Sequence, residues 1–359
     1  MMYRLEIQKL LLQIEDNYED IDFCIALLKQ AIQIADKNGD ADWAFDLRLY
    51  LIREERSTSH CRESMVAFAW LLEQCDAHSD HFDERELLLE YQWMICSAYS
   101  NSSIPLEQIE ALIEDLKLRL ERTNTSKRGL YYTMAGFNMQ LGKPEKAKEY
   151  IALSDLEPFD EEFTEATSYD NNIENAVYMK NFDLAVELMN QMEYKKLTGF
   201  SLPFETYAAM ACFMARGKDS RASIYAAKAK EEFEGITEVN SSLLYSMTRL
   251  SYALYLLDDE SVWYYYEKMA DWEVEAEDDL QLMMSRHFAV ICSQGGEKRL
   301  TLSVKVPFFE EGGVYNLGAL EKYYAEKASY FAKAFDQRNG NTFYQDELIL
   351  LRQEKTSND

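Results

Sequence analysis

Apolar residues stand three and four positions apart along almost the whole of this 359-residue chain, a period that belongs to helices. Ile21, Ile25, Leu28, Ile32 and Ala35 form one such stripe, which ends at Asn38-Gly39. Asp40 then caps a helix through Trp43, Leu47, Tyr50 and Leu51. Further helices are predicted over about 61–76, 84–100 and 105–122, the last opened by Pro105, and Ser126 caps the one after it. Only 13 glycines and 5 prolines are present, too few to punctuate strands and hairpins, so short polar turns join the helices. With 47% apolar and 13% aromatic residues the chain buries a large core, which excludes global disorder. The expected fold class is all-α.

From about residue 126 the helices fall into pairs. Tyr131, Met134, Ala135 and Asn138 lead to a turn at Leu141-Gly142-Lys143, then to Ala147, Ile151 and a closing Pro158. Equivalent units turn at Lys180-Asn181, Arg216-Gly217-Lys218 and Asp258-Asp259. Ala147, Ala185, Ala222 and Val262 recur early in the second helix of each pair, where a small side chain lets that helix approach the first. Each hairpin keeps an apolar face that only a stacked neighbour buries.

These positions resemble the tetratricopeptide repeat over roughly 126–272: an early aromatic, a mid-helix small residue, a turn glycine and an alanine beyond it. Other copies carry Asn181 or Asp258 near the turn glycine and Thr206 near the aromatic position. The resemblance implies a right-handed α-solenoid of antiparallel helix pairs, about eight in all, with a concave groove for protein segments. Three regions are expected: degenerate helical hairpins over 1–125, tetratricopeptide-like repeats over 126–272, and a C-terminal part over 273–359 continuous with the array.

That last part opens with a helix near 277–293 and then changes character. Leu300, Leu302, Val304 and Val306 alternate, which predicts an extended connection packed on the array. A final helix over about 316–338 carries Leu317, Leu320, Tyr324, Ala328, Phe331 and Phe335 and stops at Asn339-Gly340, as a cap on the open end.

The formal net charge of −27 opposes docking on a phosphate backbone or an anionic membrane surface, so neither nucleic acid nor membrane is an expected partner. Six scattered cysteines suit free thiols in a reducing compartment, and a cytoplasmic location is expected. Cys61 and Cys75 stand 14 residues apart on one predicted helix, about 21 Å by its rise, too far to share a zinc ion. Counted from Asp36, the sixth and twelfth positions of a calcium loop are Ala41 and Leu47, so the glycine and glutamate it needs are missing. No phosphate loop or hydrolase motif is present, and no enzymatic activity, cofactor or metal is expected.

Two acidic stretches, 155–174 and 258–279, hold eight and ten Asp/Glu. Each is a solvated surface or a docking site for a basic segment. Threading the repeat puts Asp170 and Glu174 one turn apart on the groove-lining helix, matched in neighbouring units by Tyr132 and Met139 and by Tyr207 and Met214. Such a groove suits an apolar or basic segment. The aromatic run from Trp263 to Trp272 is either core between repeats or a surface hot spot. The expected function is a non-enzymatic protein-interaction scaffold. The alternative is an intracellular regulator whose repeats clasp a short signalling peptide.

Overall fold

The computed structural model describes residues 2–159 and 163–356. Among these the chain is all-helical, with seventeen α-helices and one two-stranded ribbon. The first six helices are α1 (Met2–Asp16), α2 (Ile21–Lys37), α3 (Ala41–Glu55), α4 (Ser64–Ala77), α5 (Leu88–Ser100) and α6 (Leu106–Thr123). Four pairs follow: α7 (Arg128–Gln140) with α8 (Pro144–Asp155), α9 (Glu165–Tyr178) with α10 (Phe182–Tyr194), α11 (Phe204–Arg216) with α12 (Ala222–Glu234), and α13 (Leu244–Leu256) with α14 (Val262–Met269). The remainder is α15 (Asp278–Cys292), β1 (Glu297–Arg299), β2 (Val314–Asn316), α16 (Leu317–Asn339) and α17 (Phe343–Thr356).

One backbone device closes all four central pairs. Gly142, Lys180, Lys218 and Asp258 take the left-handed conformation, with φ of 69°, 57°, 57° and 57°. The next N–H in each case donates back to a helical carbonyl, from Lys143 to Asn138, Asn181 to Ala176, Asp219 to Met214 and Asp259 to Leu254, at 2.8–2.9 Å. These are Schellman closures, and they put the repeat in register at 142, 180, 218 and 258. Three of the four positions carry a side chain where glycine is the easier residue, at a cost of about 1–2 kcal/mol each. Gly217, the glycine of the third turn, has φ of −81°. It is needed because a Cβ there would come within 2.6 Å of the Phe182 ring.

Packing follows the small-residue pattern. Ala147, Ala185 and Ala222 are fully buried and Val262 nearly so. One core runs from Ile7 to Leu141 and a second from Ala166 to Leu351. Within the aromatic run Trp263, Tyr265, Tyr266 and Met269 are buried, and Tyr266 and Tyr324 of α16 share a hydrogen bond at 2.9 Å. Only Tyr264 of the four consecutive aromatics is exposed. Asp40 caps α3 by accepting from the Trp43 N–H, and Ser126 accepts from the Arg128 N–H just before α7. Pro105 precedes α6 in extended conformation rather than lying inside its first turn.

The C-terminal part departs from expectation twice. Residues 297–299 pair antiparallel with 314–316, so the extended stretch begins as a strand with its own partner. Leu300, Leu302 and Val306 then turn inward while Val304 points outward. Further on, α16 ends at left-handed Gly340 as expected, but the chain continues into α17. Asp336 of α16 caps that helix by accepting from the Tyr344 and Gln345 N–H groups at 2.9 and 3.0 Å. The Asn-Gly stop is therefore a hairpin turn.

No described helix is long and apolar enough to cross a membrane, and all six cysteines are free.

Candidate functional site

The odd-numbered helices contact one another in sequence, α9 on α11, α11 on α13 and α13 on α15, and α15 in turn reaches α5. Hydrogen bonds join residues nearly 180 apart at that meeting. Ser100 donates to Asp279 at 2.8 Å, and Ser102 donates through both N–H and hydroxyl to Asp278 at 2.8 and 2.6 Å. Gln140 also donates to Asp279, and the Glu277 N–H donates to the Ser59 carbonyl. Thus the C-terminal end of the 258–279 acidic stretch acts as an internal latch, with carboxylates facing protein donors.

The latch borders a half-open cleft with a free volume of about 310 Å³, lined from Tyr99 to Glu347. Helix α7 contributes Tyr132, Gly136, Met139 and Gln140, and α9 contributes Asn171, Glu174 and Tyr178. Phe213 and Arg216 come from α11, Tyr245 and Arg249 from α13, and Arg286 and His287 from α15. Repeats bring these side chains to one place because equivalent turns hold equivalent faces. Gly136, Glu174 and Cys212 each stand six residues before the left-handed turn residue, and Gln140, Tyr178 and Arg216 each stand two before it.

Helix α17 lies along this cleft, to which it adds Phe343, Tyr344 and Glu347. Arg216 is paired with Glu354 at 2.9 Å and with Glu347 at 3.4 Å, and the Tyr252 hydroxyl donates to Glu354. Phe343 presses against Gly142, where a Cβ would approach the ring to 2.5 Å, and Asn341 donates to the Leu141 carbonyl. Arg338, at the end of α16, donates to the Tyr99 and Asn101 carbonyls at 2.7 and 3.0 Å.

The six residues expected to line a groove separate into two groups. Tyr132, Met139 and Glu174 line the cleft. Asp170 lies half-buried beside it, accepting from the Thr206 hydroxyl at 2.6 Å. Tyr207 and Met214 are core residues: Met214 is fully buried, and Tyr207 stacks on Tyr225 and donates to Glu193. The cause is a register error of one residue. Counted from Lys218, Tyr207 and Met214 occupy the places that Tyr131 and Asn138 hold before Gly142, and one residue turns a helix by about 100°. The residues that sequence reasoning missed are Arg216, Arg249 and Arg286; only Arg216 had a signal, its spacing two residues before the left-handed Lys218.

Charge in the cleft is mostly neutralised from within. Glu174 is ion-paired with Arg249, which stacks on Tyr245 at 4.1 Å and donates to its hydroxyl at 2.6 Å. Burial raises the Asp170 carboxyl to about 7, helped by Glu174 and Glu205 and opposed by the Thr206 bond and Arg249. Burial likewise raises Asp279 to about 6 and Glu277 to about 8. His287 is held neutral by burial and by Arg286, and its Nδ1–H donates to the Met283 carbonyl at 2.6 Å. The Cys212 thiol is raised by burial, so it is a poor nucleophile.

These carboxyls set the pH dependence of stability. Asp170, Asp279 and Glu277 keep protons in the fold that the unfolded chain loses near pH 4, so their contribution falls as pH rises from about 4 to 8. The net charge adds self-repulsion in the same direction. Thermal melting followed by circular dichroism is expected to show the highest Tm near pH 5 and a steady fall toward pH 8.5. A Tm that climbs across that range contradicts the assignment.

Cys75, weighed above for zinc, is buried in the core, and the His81 ring that follows its helix pairs with Asp42 at 2.6 Å. Among the described residues no group of three His, Cys, Asp or Glu side chains is placed to hold a metal ion. Comparison with known proteins finds no counterpart: no family model, no curated protein and no solved structure matches this chain.

Proposed function

We propose that the chain is a tetratricopeptide-like right-handed solenoid that acts as a non-enzymatic protein-interaction module. Its inner surface recognises an apolar, acidic helical segment, and α17 occupies that surface in the resting protein. One observation carries the reading: α17 lays Phe343 and two carboxylates onto the inner helices, where Arg216 and Tyr252 receive them. This is helix-in-groove recognition with the ligand supplied in cis. The cations at the inner surface favour an acidic segment there over the basic one expected from overall charge. Basic partners are left to outward-facing carboxylates such as Asp183 and Glu260, which stay 91% and 78% exposed while paired with Arg221 and Lys298, pairs that a basic segment would have to displace.

A tethered helix has an effective concentration in the millimolar range, so an added segment competes only when the tether is loosened. The double variant Glu347→Lys/Glu354→Lys removes both pairs to Arg216 and replaces them with repulsion. A fluorescein-labelled peptide of residues 341–354 is expected to bind this variant saturably and to bind the unaltered chain at least tenfold more weakly, read by anisotropy. A folded double variant that ignores the peptide contradicts the proposal.

A further inference from the structure

With α17 in place the cleft still keeps its free volume of about 310 Å³, and one charge inside it is left over. Three guanidiniums line the cleft. Arg216 is neutralised by Glu347 and Glu354, and Arg249 by Glu174. Arg286 has no carboxylate within 4 Å among the described residues. Its one hydrogen bond runs from Nη2 to the Met283 sulfur at 3.2 Å, a weak acceptor, and its Nε is buried with no acceptor. Its positive field acts on Tyr178 of α9, Cys212 of α11, Tyr245 of α13 and Tyr344 of α17, so it faces the middle of the cleft. A second group in the same cleft is unfinished: Gln140 gives its amide N–H to Asp279, but its buried Oε1 accepts from nothing.

We propose that Arg286 anchors a small aromatic monocarboxylate, an effector bound beside α17. A planar carboxylate matches the guanidinium fork, and a single free cation among Asp279, Glu174 and Glu347 favours one negative charge over two. The walls are flat and apolar, with Tyr132, Tyr178, Phe213 and Tyr245 around the space, which suits an aromatic body. Gln140 Oε1 calls for an O–H or N–H on the ligand. The free volume is about twice the ~150 Å³ cavity that holds a benzene, which suits a body of one or two rings better than an extended peptide. The cavity is present while α17 is docked, so this site stands or falls separately from the recognition of helical segments.

The test is calorimetric titration of the full chain with indole-3-acetate, 4-hydroxyphenylacetate and 4-hydroxybenzoate, each at up to millimolar concentration. At least one of these acids is expected to bind, and its neutral amide to bind roughly ten- to a hundredfold more weakly. Arg286→Gln should erase that preference, and Arg286→Lys should keep part of it. In the absence of ligand Arg286→Met should melt no lower than the unaltered chain, because it removes an unpaired charge. Equal binding of acid and amide, silence from all three acids, or a Tm loss in Arg286→Met that marks a structural role would each overturn the proposal. A hexapeptide ending in tryptophan, offered with a free carboxylate, separates the sources. Binding of that peptide in place of the free acids would assign the site to a chain terminus and refute the small-effector assignment.

Discussion

Glu55→Ala is expected to lower the unfolding free energy by about 3–5 kcal/mol, measured by urea titration at pH 7. Glu55 is fully buried at the end of α3, and among the described residues no lysine or arginine is paired with it, only the His60 ring. Its carboxylate instead gathers donors from the following loop: the N–H groups of Arg62, Glu63 and Ser64 at 2.8–3.1 Å, the Ser64 hydroxyl at 2.5 Å and the His60 ring at 3.1 Å. Burial alone would raise the carboxyl, but those bonds outweigh it and hold it at about 2. A depressed folded value means stability that is present above pH ~4.5 and lost as pH falls toward 2, about 3 kcal/mol from this group. The loop it organises also carries Ser59, which accepts from Glu277 and donates to the Trp272 carbonyl. Loss of Glu55 should therefore loosen the latch as well as the α3–α4 turn. Glu55→Gln keeps the shape and half the acceptors, and a smaller loss is expected. An alanine variant that unfolds at the unaltered urea midpoint would refute this account of the turn.

Arg249→Met is expected to cost about 3–5 kcal/mol for a related reason. The arginine is 5% exposed, and removing it leaves Glu174 beside Asp170 and Glu205 with no cation to offset three carboxyls. Without the arginine that now opposes their shift, Asp170 and Glu205 would retain protons to higher pH, so the variant's deficit should grow between pH 6 and 8. Arg249→Met/Glu174→Leu replaces both charges with apolar side chains and should recover most of the lost stability, since a buried pair exchanged for apolar groups is often neutral. If the double variant is as unstable as the single one, the loss arises from packing on Tyr245 and Phe213 and the charge argument fails.

Much of the scaffold was legible in the chain. The 3–4 apolar period gave the helices, and the alanines at 147, 185 and 222 marked where second helices close on first ones. Register was harder, because the left-handed turn residue is a lysine at 180 and 218 where sequence rules favour glycine or asparagine. Gly217 drew the turn one residue early, yet that glycine answers to Phe182. The same one-residue ambiguity in threading placed Tyr207 and Met214 in the groove. Helix α17 was missed because Asn339-Gly340 reads as an end, although Phe343, Tyr344, Leu348 and Leu351 repeat a helical spacing beyond it. The latch was out of reach of any local signal. Ser100 and Asp279 stand 179 residues apart and meet only once the intervening helices have packed. Arg286 shows the same limit, since its lack of a partner is a property of the assembled cleft.

Hydrogen exchange on the Glu347→Lys/Glu354→Lys chain, with and without the peptide of residues 341–354, tests the central claim most directly. The account predicts that the double substitution speeds exchange in α17 and over 136–142, 212–217 and 249–252, segments far apart in sequence that share the inner surface. Added peptide should restore protection to all three inner segments together. Protection confined to α14 and the outer acidic stretch, or none at all, would contradict it.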